Sequence, residues 1–219
     1  MKIAICTPVF DKPHTAYVCS LLAVIEHVRT SRPEIELRPR LAQGHLIDTR
    51  NALAADALQW GADYILWADA DTSFPNDSLT SLLDRGLSVI GCNYPTKGHP
   101  PRPTAYREQN GRFLPIYSTP EIAKAHPVEE VSHMGLGLCL IAAPLIRALG
   151  DAPFTPKPGT GSGLGEDYHL FDRLRANGAK TYLDHDLSVH VAHIGEYAYT
   201  NAVAARFSQS NHPKAVIGG

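Results

Sequence analysis

The sequence predicts an α/β fold of Rossmann-like character, with a mostly parallel central sheet, helices on both faces and a smaller antiparallel portion. Two observations favour it. Strand-like apolar runs alternate with helical periodicities through the first ninety residues, a pattern typical of a parallel sheet covered on both faces. The stretch that follows is rich in proline, glycine and charge, and leaves room only for short strands. At 219 residues the chain is predicted to form one domain.

Seven elements are predicted in the first half, from hydrophobic periodicity and from the residues that end helices and strands. Four strands alternate with three helices: strand Lys2–Thr7, helix His14–Thr30, strand Ile35–Leu41, helix Leu46–Gly61, strand Tyr64–Ala68, helix Asn76–Arg85 and strand Leu87–Cys92. Pro8 closes the first strand. Gly61 is the predicted end of the second helix, because glycine readily adopts the left-handed conformation that terminates helices.

The second half of the chain is less regular. Its predicted elements are short strands near Thr104–Tyr106 and Phe113–Ile116, a buried strand Gly137–Ala142, helices Pro144–Leu149 and Glu166–Asn177, and closing strands Lys180–Leu183 and Ser188–Val191. The loop Pro153–Gly165 carries three prolines and four glycines, which favours a mobile lid that orders over a ligand. The chain after Gly195 is weakly patterned.

Composition and charge narrow the class of protein. The 20 Lys and Arg residues nearly balance the 22 Asp and Glu residues, so no overall positive charge indicates nucleic-acid binding. A local basic surface is compatible with this balance. The four cysteines are widely spaced in apolar contexts, which predicts reduced core residues rather than disulfides or a zinc site. We find no signal peptide and no apolar run of the ~20 residues that span a membrane, and we expect a cytoplasmic protein.

Two carboxylates, Asp69 and Asp71, directly follow the apolar run Tyr64–Ala68. Ligands and ions in open α/β sheets collect at the carboxyl ends of strands. Carboxylates spaced this closely repel each other without a cation, and they are hard oxygen ligands for Mg²⁺ or Mn²⁺. The structural alternative is a capping turn, in which Asp71 or Ser73 opens the next helix.

Two further segments are predicted to reach the same edge of the sheet. The turn after the first strand holds Thr7, Pro8 and Phe10, where backbone amides and an aromatic ring suit a nucleobase; an ordinary strand-to-helix turn is the alternative. Arg50 and Asn51 open the second helix. Arg50 is suited to fork onto a phosphate or onto the first of the two carboxylates, unless it is a surface residue.

The late helix and the chain after it supply the remaining candidates. Glu166 and Asp167 open the helix behind a glycine-rich loop. Capping alone favours carboxylates there, and a carboxylate beside a bound substrate also suits a general base. His193 stands shortly before Gly195. An imidazole can complete a carboxylate metal site, although most histidines are surface or satisfied residues.

The loop Tyr94–Arg112 is basic. It carries five lysine, arginine or histidine residues, two interleaved tyrosines and one acidic residue, Glu108. The functional interpretation is a contact surface for an acceptor or for a phosphate backbone. The alternative is an ordinary solvated loop.

Taken in order, these motifs resemble those of the nucleotide-sugar glycosyltransferases of GT-A fold, especially the family-2-like group and its compact, soluble, phage-type members. The matching segments lie between Lys2 and Gly195: Thr7-Pro8, Arg50-Asn51, Asp69-Ala70-Asp71, Gly135-Leu136-Gly137, Gly165-Glu166-Asp167 with Arg173-Leu174 and Gly178, and His193. The resemblance implies one catalytic domain, residues 1–219. It would comprise a nucleotide-binding half (1–92), an acceptor-side half (93–195) and a C-terminal tail (196–219).

On the donor side, the resemblance implies a nucleotide-sugar, with a UDP-sugar favoured, and a divalent cation, Mn²⁺ or Mg²⁺. The cation would bridge the donor diphosphate as a Lewis acid. The residues implied to bind the donor are Thr7, Pro8 and Phe10 at the base, Arg50 and Asn51, and Asp69 at the ribose. The implied metal residues are Asp71 and His193 as ligands and Asp69 through the metal's water shell.

On the acceptor side, the resemblance implies that Asp167 is the general base and that Glu166 supports it or binds the acceptor. Displacement would then be single and the anomeric centre would invert, although a retaining enzyme could carry the same metal motif. The resemblance does not define which molecule carries the acceptor hydroxyl. It belongs to a saccharide, or to the hydroxymethyl group of a modified pyrimidine in DNA that contacts the Tyr94–Arg112 loop.

The sequence is also compatible with three alternatives to a glycosyltransferase. A nucleotidyltransferase also needs acidic metal ligands, but it would more naturally carry a glycine-rich phosphate loop after the first strand, where this chain has Thr7 to Asp11 without glycine. A nucleotide-sugar hydrolase would use water in place of the acceptor. A non-catalytic nucleotide-sugar-binding module could keep Asp69 and Asp71 without needing Asp167.

Overall fold

The computed structural model describes residues 1–156, 165–195 and 198–210, the side chains of 208–210 excepted. Within these ranges the strands are β1 (Lys2–Val9), β2 (Glu36–Gln43), β3 (Tyr64–Ala68), β4 (Thr72–Ser73), β5 (Val89–Gly91), β6 (Tyr106–Gln109), β7 (Arg112–Pro115), β8 (Val128–Val131), β9 (Leu138–Ala142), β10 (Thr181–Asp184), β11 (Ala192–Ile194) and β12 (Ala198–Thr200). The helices are α1 (Thr15–Ser31), α2 (Leu46–Trp60), α3 (Ser78–Asp84), α4 (Pro120–Ala125), α5 (Ala143–Ala148), α6 (Glu166–Ala176), α7 (His185–Ser188) and α8 (Asn201–Ser210).

The central sheet confirms the predicted α/β fold class. Among the described residues, seven strands form it in the order β2-β1-β3-β9-β5-β10-β8. β2, β1 and β3 run parallel, and so do β5 and β10, whereas β9 is antiparallel to both β3 and β5, and β8 is antiparallel to β10. Because β9 opposes both of its neighbours, β3 and β5 point the same way. The carboxyl ends of β1, β3 and β5 therefore share one edge.

Two smaller sheets make up the antiparallel portion. β4, β11 and β12 form one of them, and the hairpin of β6 and β7 forms the other. β4 follows the end of β3 after three residues. The first of these sheets therefore extends from the edge at which the parallel strands end.

Helices cover both faces of the central sheet. Successive strand residues point to opposite faces, so Cys6 and Trp67 pack with α2, α5 and α6, while Ile5 and Leu66 pack with α1 and α3. All four side chains are buried. Burying a large apolar side chain stabilises the fold by about 1.5–3 kcal/mol, and both faces contribute in this way. The ends of β1 and β3 are therefore held from both sides.

One predicted strand is wrong. Ser188–Val191 was expected to extend, but α7 ends at Ser188 and β11 begins at Ala192. Asp184 explains the difference, because its carboxylate accepts a hydrogen bond from the Leu187 amide at 2.9 Å and caps a short helix. The chain turns there and reaches the strand conformation a few residues later.

The weakly patterned tail also contains regular structure. β12 pairs with β11, and α8 follows it. Asn201, at the start of α8, donates from Nδ2 to the carbonyls of Asn93 at 3.0 Å and Ser188 at 2.5 Å. These contacts anchor the tail, and the local sequence gives no sign of them. α4 and β8 were likewise not predicted.

Three smaller predictions have mixed outcomes. Cys6, Cys92 and Cys139 are buried free thiols as expected, but Cys19 is exposed on α1. The lid prediction concerns the loop Pro153–Gly165, of which residues 157–164 lie outside the described residues. In the described part of the chain, no helix combines the length and apolar character needed to cross a membrane.

Candidate active site

A cavity of about 270 Å³ opens at the carboxyl ends of β1 and β3. Its lining comes from the end of β1 and the turn after it, the link from β2 into α2, the turn after β3, and β11. The lining residues are Pro8, Val9, Phe10, Lys12, Gly44, Leu46, Arg50, Asp69, Ala70, Asp71 and His193. We call it the strand-end cavity. It brings together segments that are far apart in sequence, as expected where parallel strands share an edge.

Asp71 faces two basic side chains. Lys97 Nζ lies 2.5 Å from Asp71 Oδ2, and His193 Nε2 lies 3.4 Å from Asp71 Oδ1. Burial alone would raise the pKa of the Asp71 carboxyl, but hydrogen bonds from His193 and Lys97 outweigh it and lower the pKa to about 2. Asp71 is therefore ionised at neutral pH, where it favours positive charge beside it.

Strand pairing brings His193 to Asp71. β11 is antiparallel to β4, with His193 opposite Thr72, and the Ile194 amide donates to the Asp71 carbonyl at 2.7 Å. His193 Nδ1 lies 3.0 Å from the carbonyl oxygen of Pro95. A carbonyl only accepts, so Nδ1 carries a proton. Nε2 is the nitrogen that faces Asp71. A backbone partner of this kind fixes the tautomer and orientation of metal-binding histidines.

Asp69 pairs with the buried guanidinium of Arg50. Arg50 Nη2 donates to Asp69 Oδ1 at 2.9 Å, and Arg50 Nε lies 3.2 Å from Glu166 Oε1. The Arg50 side chain is only 3% exposed and lies over the rings of Trp67 and Phe154. Burial opposes the charge, but the carboxylates outweigh it and raise the pKa of Arg50. Of the two contacts expected for Arg50, the structure has the one with Asp69. Together with the contact to Glu166, it links the end of β3 to the start of α6.

Asp167 lies in the first turn of α6, beside Glu166. Its Oδ1 accepts a hydrogen bond from the Tyr168 amide at 2.8 Å. Burial raises the pKa of the Asp167 carboxyl to about 6, and the neighbouring Glu166 carboxylate adds to the rise. A Cβ at Gly165 would lie 2.6 Å from Asp167 Oδ1, so glycine leaves room for this conformation. A carboxyl with a pKa near 6 can act as a general base near neutral pH.

Tyr94 was expected only as an aromatic member of the basic loop, but it packs against the site. Its buried ring meets the His193 ring edge-on at 5.4 Å, and its hydroxyl accepts a hydrogen bond from the Gly137 amide at 2.8 Å. Cβ atoms at Gly135 and Gly137 would lie 2.3 and 2.5 Å from Tyr94 atoms. The two glycines of the Gly135-Leu136-Gly137 motif therefore make room for this ring.

Gly137→Ala is expected to destabilise the protein by about 1–3 kcal/mol, the usual range for overpacking a buried contact. The added methyl group has to displace the Tyr94 ring or the backbone of Gly137. Urea unfolding measures the effect. Gly98→Ala is the matched control, because the atom nearest to a Cβ there is 3.7 Å away. Equal unfolding midpoints for the two variants would contradict the packing argument.

Four residues predicted to bind the donor occupy different environments. Phe10 is 94% exposed at the mouth of the strand-end cavity, and Pro8 lines the cavity. Thr7 is fully buried, and its hydroxyl is hydrogen-bonded to that of Tyr17. Asn51 is also engaged elsewhere. Its Nδ2 donates to Thr155 Oγ1 at 2.9 Å, and its Oδ1 accepts from the Phe154 amide at 3.0 Å.

A second, larger cavity of about 700 Å³ is lined mainly by proline and aromatic residues. We call it the aromatic groove, and its lining is Pro100, Pro101, Arg102, Pro103, Tyr106, Phe113, Leu114, Pro115, Tyr117 and Phe207. Tyr168, the residue that follows Asp167, lies next to two aromatic rings of this groove. Tyr168 lies 5.1 Å from the Phe113 ring and 6.4 Å from the Tyr106 ring, centre to centre.

Few side chains in the described residues could serve as ligands for a metal ion. Within residues 1–156, 165–195 and 198–210, no group of three or more His, Cys, Asp or Glu side chains could hold a metal ion. Asp71 and His193 converge, while Asp69 is paired with Arg50. An oxygen and a nitrogen ligand suit Mn²⁺ when phosphate oxygens and water complete its coordination. The pair therefore fits a cation that is shared with a ligand.

Comparison with known proteins identifies the fold. No protein-family model matches the sequence, and no curated protein sequence matches it either. A197 from STIV has a similar structure, with a TM-score of 0.51 and 17% identity over 89% of this chain and 86% of that chain. GalNAc-T7, crystallised with UDP, GalNAc and Mn²⁺, gives a TM-score of 0.55 and 12% identity over 95% of this chain and 48% of that chain. This chain thus spans about half of the GalNAc-T7 structure. At such identities the likeness concerns the fold, which is GT-A-like.

Proposed function

We propose that this protein is a glycosyltransferase that moves a sugar from a nucleotide-sugar, with a UDP-sugar as the favoured donor, to an acceptor hydroxyl. One observation carries the proposal. The Arg50 guanidinium joins Asp69, at the end of β3, to Glu166, which is next to Asp167 at the start of α6. A carboxylate suited to base catalysis is thus linked to a cavity suited to a nucleotide. The GT-A-like fold supports the same class of reaction, as an analogy.

On the donor side, the strand-end cavity offers a place for each part of the nucleotide. The exposed ring of Phe10 and the ring of Pro8 suit the base, and the diphosphate would extend towards Asp71. We propose that Asp71 and His193 hold a divalent cation, Mn²⁺ or Mg²⁺, together with the diphosphate. When bound, such an ion neutralises the charge that develops on the leaving nucleoside diphosphate.

On the acceptor side, Asp167 would take the proton from the acceptor hydroxyl. The oxygen then forms a bond to the anomeric carbon of the sugar as the bond to the diphosphate breaks, and its electron pair leaves with the nucleoside diphosphate. One displacement of this kind inverts the anomeric centre. Glu166 supports the base by adding to its raised pKa and by holding Arg50.

The aromatic groove is the proposed acceptor region. Tyrosine, phenylalanine and proline rings give flat surfaces for a sugar ring or a base, and Arg102 adds positive charge. A saccharide is one candidate acceptor, and a hydroxymethylated pyrimidine in DNA is another. Gel shifts with a hydroxymethylcytosine duplex at low salt distinguish them, because the absence of binding would remove the DNA acceptor.

Thermal unfolding with UDP, GDP and CDP, each with Mn²⁺, Mg²⁺ or EDTA, tests the donor side. A ligand that binds only the folded protein raises its stability by roughly 2.7 kcal/mol at a hundred times its dissociation constant. We expect a shift that depends on the metal, favours UDP and disappears in Asp71→Ala. No shift with any nucleotide and metal would contradict the proposal. Analysis of the products formed from the nucleotide-sugar then distinguishes transfer to an acceptor from hydrolysis. In hydrolysis, water takes the place of the acceptor.

A further inference from the structure

Lys97 places a positive charge directly beside Asp71. Its ammonium nitrogen lies 2.5 Å from Asp71 Oδ2, while His193 approaches the other carboxylate oxygen. Both side chains of the ion pair are more than a third exposed, so solvent and ligands reach them. Lys97 lies outside the residues of the strand-end cavity but directly adjoins Asp71, which lines it.

The surrounding backbone is built for this contact. Pro95, two residues before Lys97, accepts the hydrogen bond from His193 Nδ1. A Cβ at Gly195 would lie 3.3 Å from Lys97 Cδ, so the lysine side chain passes closely over the glycine. The chain segment that orients His193 therefore also delivers the ammonium group to Asp71.

A divalent cation at Asp71 and His193 changes the balance of these contacts. A doubly charged ion bound beside Asp71 would repel the ammonium group of Lys97, because like charges at such distances repel. The side chain of Lys97 is long and flexible, with three donors that suit phosphate oxygens. A diphosphate bound at the cation would offer it a new partner a short distance away.

We propose that Lys97 is an exchangeable counter-ion, which neutralises Asp71 in the free protein and moves to the donor diphosphate when the divalent cation binds. This inference rests on the proposed function, since it names a ligand-binding residue of the same site. It predicts opposite effects of one substitution. Lys97 hinders binding of the metal alone, and it strengthens binding of the nucleoside diphosphate.

Lys97→Met is therefore expected to bind Mn²⁺ alone several-fold more tightly than the wild type. At saturating Mn²⁺, the same variant is expected to bind UDP about tenfold more weakly, equivalent to about 1.4 kcal/mol. Isothermal titration calorimetry with Mn²⁺, and then with UDP or uridine, measures both quantities. Uridine affinity should be unchanged, because uridine has no phosphate for Lys97 to contact.

Two further variants distinguish this role of Lys97 from the effect of removing any positive charge near the strand-end cavity. Lys97→Arg keeps a cation on Asp71 and should retain weak binding of Mn²⁺ alone. Lys12→Met removes the same charge from the strand-end cavity without breaking a contact to Asp71, and should change Mn²⁺ affinity less than Lys97→Met does. Equal Mn²⁺ affinities for Lys97→Met and the wild type, or unchanged UDP affinity, would overturn the inference. If wild type and Lys97→Met both bind neither Mn²⁺ nor UDP, the proposed function fails as well.

Discussion

Asp167→Asn is expected to lower kcat for sugar transfer by about 10²- to 10⁴-fold, the usual contribution of a positioned general base. The amide keeps the size and shape of the side chain but cannot take up the proton of the acceptor hydroxyl. The affinity for the nucleotide and metal should stay close to that of the wild type, because the residues proposed to hold them line the strand-end cavity. Rate loss with retained binding is the outcome that distinguishes an enzyme from a binding module.

The pH dependence gives a second readout of the same residue. The pKa of Asp167 is raised to about 6 by burial and by Glu166, and the base must be ionised to act. The rate of the wild type should therefore fall about tenfold per pH unit well below pH 6, and level off above it. The contribution of Asp167 to the stability depends on pH in the opposite direction. Because the folded protein holds this proton more tightly than the unfolded chain, Asp167 contributes a loss of stability as the pH rises from about 4 to about 6.

The measurements are initial rates and nucleotide titrations on both proteins. Asp151→Asn is the control, since it makes the same chemical change at an exposed position. Should Asp167→Asn retain more than half of the wild-type kcat, with an unchanged pH profile, another group would have to be the base.

Arg50→Met is expected to destabilise the protein by about 3 kcal/mol or more, as breaking a buried ion pair commonly does. Removing the guanidinium leaves Asp69 and Glu166 without their partner, and their side chains are only 23% and 14% exposed. For a chain of this size, that loss corresponds to a fall of roughly 6–12 °C in Tm, at about 2–4 °C per kcal/mol. Calorimetry and urea unfolding both measure it.

Arg40→Met is the matched control for Arg50→Met. Arg40 pairs with Asp56 at 3.1 Å, but its side chain is 46% exposed, and such surface pairs are worth about 0–1 kcal/mol. Similar losses of stability for the two variants would contradict the view that burial makes Arg50 special. A further readout is the pH–rate profile, because Arg50 helps to place the carboxylates around Asp167.

Much of the site was predictable because its residues belong to regular elements. Asp69 and Asp71 follow an apolar strand, Asp167 follows a helix start, and parallel strands share an edge. From these local signals alone, the residues of the candidate site could be named. The role of each residue in catalysis stays a prediction that the experiments above address.

The contacts of Lys97 and Tyr94 could not be predicted in the same way. Both lie in an irregular loop, and the path of such a loop depends on contacts far away in sequence. Gly195 and Gly137, which leave room for the two side chains, are 98 and 43 residues further along. The direction of β9 was also hidden, because a short run of apolar residues looks alike in a parallel and an antiparallel strand.

The reversed strand β9 has a consequence for how the site can vary. Gly137, just before β9, accepts a hydrogen bond from the Asp69 amide through its carbonyl and donates to the Tyr94 hydroxyl through its own amide. One backbone position thus fixes two residues that follow the two neighbours of β9, which are β3 and β5. Their separation is set by the register of the sheet, and not by the length of the chain between them. Insertions and deletions in the hairpin of β6 and β7 can therefore reshape the proposed acceptor region while the spacing of Asp69 and Tyr94 is preserved.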